Sequence, residues 1–407
     1  MDRKLAVKID RSTWPGPGIR PLFPRNFTNG TSCYDLNIPA MLMVIGYLTT
    51  PTSSTGVSLS EFWAWVRYLA AISNESHISL TRSFAELDAH QRTILSDDFG
   101  MGVPMLWLFD KLSLTEVVDG RYFMQKIAAS IGATQKRTAK RGPNKTPDFV
   151  ARDVAGRWHV IECKGTQSGP EYSIKQLGSK GPVLKGGVAQ KRSILFPAGH
   201  TGQRLVCGLD IDVEGGREGV LRIVDPEPED PFEIAANQLV FADDAASRGV
   251  MSKALRMAGF EVTAETVASP FGRRADATRA RSAKAESLRQ EEMKARDQRS
   301  RDELRDEVDH PKVFDGRFRG RETVIELPRG VWVDEEPVKQ VVIRQGVNRD
   351  ALAELEERPT VEDLADRDRA PWTKLMGKSI IESDGMTATM KIGEVFRSEI
   401  LLRGRNG

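Results

Sequence analysis

A short stretch near the middle of the chain combines residue types that carry out hydrolytic chemistry. Thr146-Pro147-Asp148-Phe149-Val150 is followed by Trp158-His159-Val160-Ile161-Glu162-Cys163-Lys164-Gly165. Ala155-Gly156, between them, reads as a two-residue hairpin turn. A turn centred there sets Asp148 opposite Cys163, and a shift of one step sets it beside Glu162. Side chains alternate along a strand, so Glu162 and Lys164 project to one face and Ile161 and Cys163 to the other. The hairpin therefore gathers two carboxylates and one amine at one end of a sheet. Two close carboxylates repel unless a cation sits between them. Oxygen ligands of this type suit Mg²⁺ or Mn²⁺, which also keeps coordination places for water and a phosphate. A lysine beside such a site can orient a water or stabilise charge on a phosphorane-like transition state. The chemistry expected is metal-assisted hydrolysis of a phosphodiester.

Pro147-Asp148 followed by Glu162-Cys163-Lys164, with thirteen residues between Asp148 and Glu162, resembles the PD-(D/E)XK nuclease superfamily. The resemblance covers residues 105–225, about a third of the chain. It implies a restriction-endonuclease-like α/β fold, a mixed sheet flanked by helices. It also implies Asp148, Glu162 and the backbone carbonyl of Cys163 as metal ligands, with Lys164 positioning the attacking water. Members often add an acid from the helix upstream, for which Glu116 is the candidate, with an ordinary helix N-terminal carboxylate as the alternative. They also place a polar residue on the helix after the lysine strand. Gln190 is favoured for that place and Gln176 competes. The implied activity is a Mg²⁺-dependent DNA endonuclease leaving 5′-phosphate and 3′-hydroxyl ends, in restriction or another defence against invading DNA. Cutting both strands of a duplex favours a homodimer, and a partner subunit of a defence complex is the other association expected. The competing reading is a non-catalytic nucleic-acid-binding or scaffolding subunit that keeps the fold. Metal binding separates the two.

Basic residues flank the motif. Lys136, Arg137, Lys140, Arg141 and Lys145 precede it, and Lys175, Lys180, Lys185, Lys191, Arg192 and Arg204 follow, with no acid in either run. Such a pair of runs is what a phosphate backbone track needs. Other chemistry is weakly signalled. The five histidines are isolated, and His159 lies on the strand face opposite Glu162, so it reads as structural. No GxxxxGK[ST] or GxSxG occurs. Asp210 and Asp212 alternate on a strand and read as an exposed polar edge.

The elements that must position these residues follow from patterning. Ile38–Leu48 and Leu59–Ile72 read as helices, the second carrying Phe62, Trp63, Trp65 and Tyr68, a cluster that belongs in a core. Helical patterns continue through 85–95 and 103–131. Short β runs occupy 147–164, and Arg204–Glu214 and Gly219–Val224 read as strands. Helices follow at 232–258. Residues 273–309, dense in both charges, read as a solvated helix, with a coiled-coil arm as the sharper alternative. Thr323–Leu327, Val331–Val333 and Val338–Arg344 read as strands of a small C-terminal α+β domain. The organisation expected is a mostly helical region at 1–100, a nuclease-like domain at 101–260, a charged helical linker at 261–310 and an accessory domain at 311–407.

Composition sets the outer limits. In 407 residues, Lys plus Arg number 59 and Asp plus Glu 57, so any nucleic-acid surface must be local. Three scattered cysteines exclude a disulfide scaffold and suit a reducing cytoplasm. The N-terminus runs into no apolar signal core, and the longest apolar run, Ile38 to Leu48, is too short to span a bilayer.

Overall fold

A computed structural model describes residues 1–16, 21–53, 60–130, 146–178, 194–225, 232–269, 282–333, 336–359 and 371–404. The chain opens with a hairpin, β1 (Asp2–Ile9) and β2 (Gly30–Asn37), then α1 (Ile38–Thr49), α2 (Ser60–Ala71), the single turn α3 (Arg82–Ala85) and the long α4 (Ala89–Leu112). The motif region comprises β3 (Leu114–Asp119), α5 (Gly120–Ser130), β4 (Phe149–Asp153), β5 (Trp158–Thr166), α6 (Pro170–Leu177), β6 (Ile194–Leu195), β7 (Thr201–Asp210), β8 (Val220–Val224) and β9 (Phe232–Glu233). Helices α7 (Leu239–Met257), α8 (Glu261–Ala268) and α9 (Ala283–Arg305) lead to the last third. That third contains β10 (Lys312–Val313), β11 (Phe318–Val333), β12 (Glu336–Asn348), α10 (Arg349–Glu357), β13 (Ser379–Asp384), β14 (Thr387–Ile392) and β15 (Phe396–Arg403).

The architecture is mixed α/β, with two large sheets and helices against them. The first sheet has seven strands in the order β2-β1-β8-β7-β5-β4-β3. Its β1–β8 and β5–β7 pairs are parallel and the rest antiparallel. The second is antiparallel throughout, six strands in the order β10-β11-β12-β15-β14-β13.

Helix α1 forms where the alternating pattern of β2 gives way to an unbroken apolar run. Asn37 caps it, its side chain accepting from the Ala40 N–H at 3.0 Å, and Pro39 occupies the first turn, where no donor is needed. Every residue from Ile38 to Leu48 is buried, because α1 lies between the first layer and the second sheet. Trp65 and Tyr68 of α2 are core residues, and the side chains of Phe62 and Trp63 lie outside the described residues.

Several expectations change. Residues 1–100 are not a helical region apart: Leu5, Val7 and Ile9 alternate inward along β1, which pairs with β8 inside the motif-bearing sheet. Residues 114–119, expected as helix, form β3. The chain turns left-handed at Ser113 (φ 50°), which ends α4, and Gly120 starts α5. The region expected as a linker begins inside the core, since Thr263, Ala264, Thr266, Val267 and Ala268 of α8 are buried. The end of α9 is docked too: Glu303 accepts from the Val262 and Thr263 N–H groups at 3.0 and 2.7 Å, and Leu304 is buried. The second sheet packs back on the first layer, where Ser379 Oγ donates to the Thr115 carbonyl at 3.0 Å.

Candidate functional site

The β4–β5 hairpin turns through three residues, Val154-Ala155-Gly156, not two. Asp153 and Arg157 close it with a 3.0 Å backbone bond, and Gly156 takes the left-handed φ of +74° that such a loop requires. Asp153 Oδ1 also accepts from the Ala155 and Arg157 N–H groups, both at 2.9 Å. The register is Phe149↔Ile161 and Val150↔Val160, which carries Asp148 opposite Glu162. This is the expected geometry shifted by one step, and it puts the two carboxylates on one face.

Their contacts are direct. Asp148 Oδ2 accepts from the Cys163 N–H at 2.8 Å, and Glu162 Oε2 accepts from the Asp148 N–H at 3.2 Å. Lys164 Nζ pairs with Glu162 Oε1. The N–H and C=O of one strand residue leave on the same side, so the Cys163 carbonyl faces the same edge as the Asp148 carboxylate. The Cys163 thiol points the other way, is buried beside Cys207 in the neighbouring strand, and is pushed up by that burial.

Two glycine contacts hold this end of the sheet. A Cβ on Gly165 would come within 1.7 Å of the Ser96 carbonyl, and one on Gly100 within 2.4 Å of the Gly165 nitrogen. Helix α4 therefore lies directly on the backbone that follows Lys164. Pro104, inside that helix, cannot donate to the Gly100 carbonyl four residues earlier, so α4 is weakest against bending at this contact. On the other side, Gly120 donates to the Asp148 carbonyl at 2.9 Å, and its missing Cβ makes room for Pro147.

Helix α4 also delivers a residue that the sequence reading overlooked. Asp97 faces Lys164 and Asp148 closely enough to feel both charges: loss of water raises its carboxyl, Lys164 pulls it down and Asp148 pushes it up, with a net rise. Glu116 stands elsewhere. It is buried on β3 opposite Arg152, four residues along β4 from Asp148, or about 13 Å at strand rise. There it accepts from Ser247 Oγ at 2.9 Å and lies 3.7 Å from Arg152. It reads as a structural ion-pair residue. Gln190 lies outside the described residues. Gln176 is half-buried on α6, with its Oε1 free of any hydrogen-bond partner among the described residues.

The electrostatics are those of a site short of positive charge. Burial, and after it Asp148, pushes the Glu162 carboxyl up to about 8. Burial also raises Asp148, against the opposing pull of Lys164 and the Cys163 N–H. Burial works to lower Lys164, but Glu162 and Asp148 outweigh it and hold the ammonium above its ordinary value. One ammonium thus serves two buried carboxylates with a third nearby, a donor set that fits a hard divalent cation. Among the described residues no group of three or more His, Cys, Asp and Glu side chains is gathered as a ready cage. A cation here would rest on Asp148, Glu162 and the Cys163 carbonyl, with Asp97 in the outer ring.

Comparison with protein-family models, with curated proteins and with solved structures finds no match to this chain.

The remaining candidates resolve individually. His159 is buried, accepting from the Gln203 N–H at 2.9 Å with its other ring nitrogen 3.3 Å from Asp153; burial keeps it below its ordinary value, and it is structural. Arg204 does not join a phosphate track: it is buried, its N–H bonded to Asp225 at 3.1 Å and its guanidinium 3.9 Å from the same carboxylate. Lys175 is exposed on α6. Lys136, Arg137, Lys140, Arg141, Lys145, Lys180, Lys185, Lys191 and Arg192 lie outside the described residues. Asp210 is buried rather than an exposed edge residue, and Asp212 lies past the strand, accepting from the Val213 and Arg217 N–H groups at 2.8 and 3.2 Å. Among the described residues no helix is long and apolar enough to cross a membrane.

Proposed function

We propose that this protein is a metal-dependent nuclease of the PD-(D/E)XK type, with a restriction-endonuclease-like core, hydrolysing phosphodiester bonds in DNA. The observation that carries the reading is the cross-strand placement of Asp148 and Glu162 with Lys164 on the same face. A Mg²⁺ or Mn²⁺ ion held by Asp148, Glu162 and the Cys163 carbonyl would supply Lewis acidity toward a phosphate. Asp148 and Glu162 hold that charge at the sheet end, and the Cys163 N–H fixes the Asp148 carboxylate. Lys164, on the same face, would orient the attacking water and meet negative charge developing on the phosphate. Asp97 adds a further negative charge near Lys164 from the α4 side. Association with DNA, as a homodimer or within a defence complex, belongs to the same proposal.

The second reading, a non-catalytic nucleic-acid-binding or scaffolding subunit, has one observation in its favour. The Glu162–Lys164 ion pair offsets part of the buried charge without a metal. Supercoiled plasmid, linear duplex and single-stranded DNA, incubated with Mg²⁺, Mn²⁺ or EDTA, separate the two. Metal-dependent cutting that disappears in Asp148→Ala and Lys164→Ala supports the nuclease. Absence of cutting, together with Mn²⁺ affinity by calorimetry that is unchanged by Asp148→Ala, sinks it.

A further inference from the structure

The two large sheets end in four edge strands, and three of them carry a device that prevents pairing with another chain. β3 has a register shift between Leu114 and Glu116 and is met by Ser379 at the Thr115 carbonyl. β10 is two residues long. β13 ends in Glu382-Ser383-Asp384, all exposed. β2 carries one charge, Asp35, and that charge is already offset by Lys4. The strand pairs with β1 through eight unbroken registers, from Asp2↔Asn37 to Ile9↔Gly30. Its sequence, GTSCYDLN, contains no proline and no lysine. Alternate residues aim their N–H and C=O groups away from β1, and no described residue pairs with that side.

The exposed face at this edge has a matching charge pattern. Thr31, Cys33 and Asp35 are exposed, in register with Lys8, Ala6 and Lys4 of β1. Lys4 already pairs with Asp35. Lys8 is exposed and has no ion-pair partner among the described residues.

We propose that β2 is a homodimer edge, pairing antiparallel with β2 of a second copy about a two-fold axis at Cys33. The occupant is a second copy because the strand complements itself. With Cys33 at the axis, Asp35 of one copy lies opposite Thr31 of the other, which is in register with that copy's Lys8. Lys8 of each copy thereby lies two strands from Asp35 of the other, a carboxylate it would share with Lys4, and no like charges oppose. The pairing joins two seven-stranded sheets into one of fourteen strands and removes both open edges. It places the two Cys33 residues about 4.5–5.5 Å apart at Cα, within reach of a disulfide. The inference gives a surface to the homodimer of the proposed function, and its test does not depend on DNA cleavage.

The test uses the full chain. Light scattering after size exclusion is expected to give twice the monomer mass at micromolar concentration. Diamide, a two-electron thiol oxidant, is expected to cross-link wild type on a non-reducing gel but not Cys33→Ser, while Cys33→Ser keeps the dimer mass. Cys163 and Cys207 are buried and leave the assay clean. Lys8→Glu and Asp35→Lys should each weaken dimerisation at least tenfold with unchanged circular dichroism, and the double variant should recover it. A monomer mass at about 100 µM overturns the proposal. So does a dimer that neither charge variant weakens and that diamide does not cross-link at Cys33.

Discussion

Two places in this molecule set acids and a base side by side on neighbouring strands, and they differ in almost every consequence. In the second sheet, Glu322, Arg344 and Glu399 form a ladder across β11, β12 and β15, with Arg344 Nε 2.5 Å from Glu322 and Nη1 3.4 Å from Glu399. The Glu322 and Arg344 side chains are 44% and 40% exposed. At the end of β5, the Glu162 side chain is fully buried and Lys164 is 23% exposed. Water shares the charge of the ladder, so its pairing contributes little beyond solubility and register. Water does not reach Glu162, so burial, and after it Asp148, pushes its carboxyl up to about 8 despite Lys164. Residue type alone does not distinguish a site from a decorated surface; access to water does.

The largest effect that would sharpen this contrast is loss of cleavage. Lys164→Ala and Asp148→Ala should each lower plasmid cutting by at least about a hundredfold, the scale of removing one charge-stabilising group. Asp97→Asn should fall between these and wild type in Mg²⁺ titrations of the same assay. Arg344→Ala should leave cutting untouched, and a loss there would break the comparison.

Next in size is packing. Gly165→Ala places a methyl group inside the van der Waals radius of the Ser96 carbonyl, which backbone cannot yield cheaply. A loss of about 3 kcal/mol or more is expected in urea unfolding. If the midpoint does not move, α4 is not seated on β5 as described.

Glu162 links the site to pH. Its carboxyl sits at about 8 in the folded protein against 4.5 ordinarily, so the neutral form is the one that folding favours. Its stabilisation is complete below about pH 4.5 and is lost as pH rises through 8. Metal-free Glu162→Gln, which cannot ionise, should therefore melt about 2 °C or more above wild type at pH 8, and the gap should close toward pH 5. Added Mn²⁺ should raise the wild-type midpoint and not that of the variant.

The smallest effect expected is in the exposed ladder. Arg344→Ala should cost less than about 1 kcal/mol by thermal melting, and that cost should shrink in 0.5 M salt. A larger, salt-independent loss would mean that the ladder is a packing element.

Much of the site was legible because strand periodicity is local. Ile161 and Cys163 against Glu162 and Lys164 separate by alternation alone, and the hairpin follows from Gly156. What was misjudged depended on neighbours. The three-residue loop shifted the register by one. Leu114 to Asp119 sits between two helical patterns and was absorbed into them, which moved Glu116 onto the wrong element. Gly120 falls inside the same apparent helix, although its missing Cβ is the space that Pro147 occupies. Asp97 lies more than fifty residues before Asp148, and its only local hint is the small pair Gly100 and Gly102 just after it, where a helix can touch another backbone. The strands of 1–37 were hidden because the partner of β1 is β8.

That last pairing has a consequence for how the chain is made. Ala6 pairs with Val220, so β1 leaves the ribosome more than two hundred residues before the strand that covers its inner side. At about 5–20 residues per second, the N-terminal hairpin waits roughly 10–40 s for its neighbour. During that interval both its borders are open and the apolar α1 behind it is uncovered, since β8 and the second sheet that enclose them are made later.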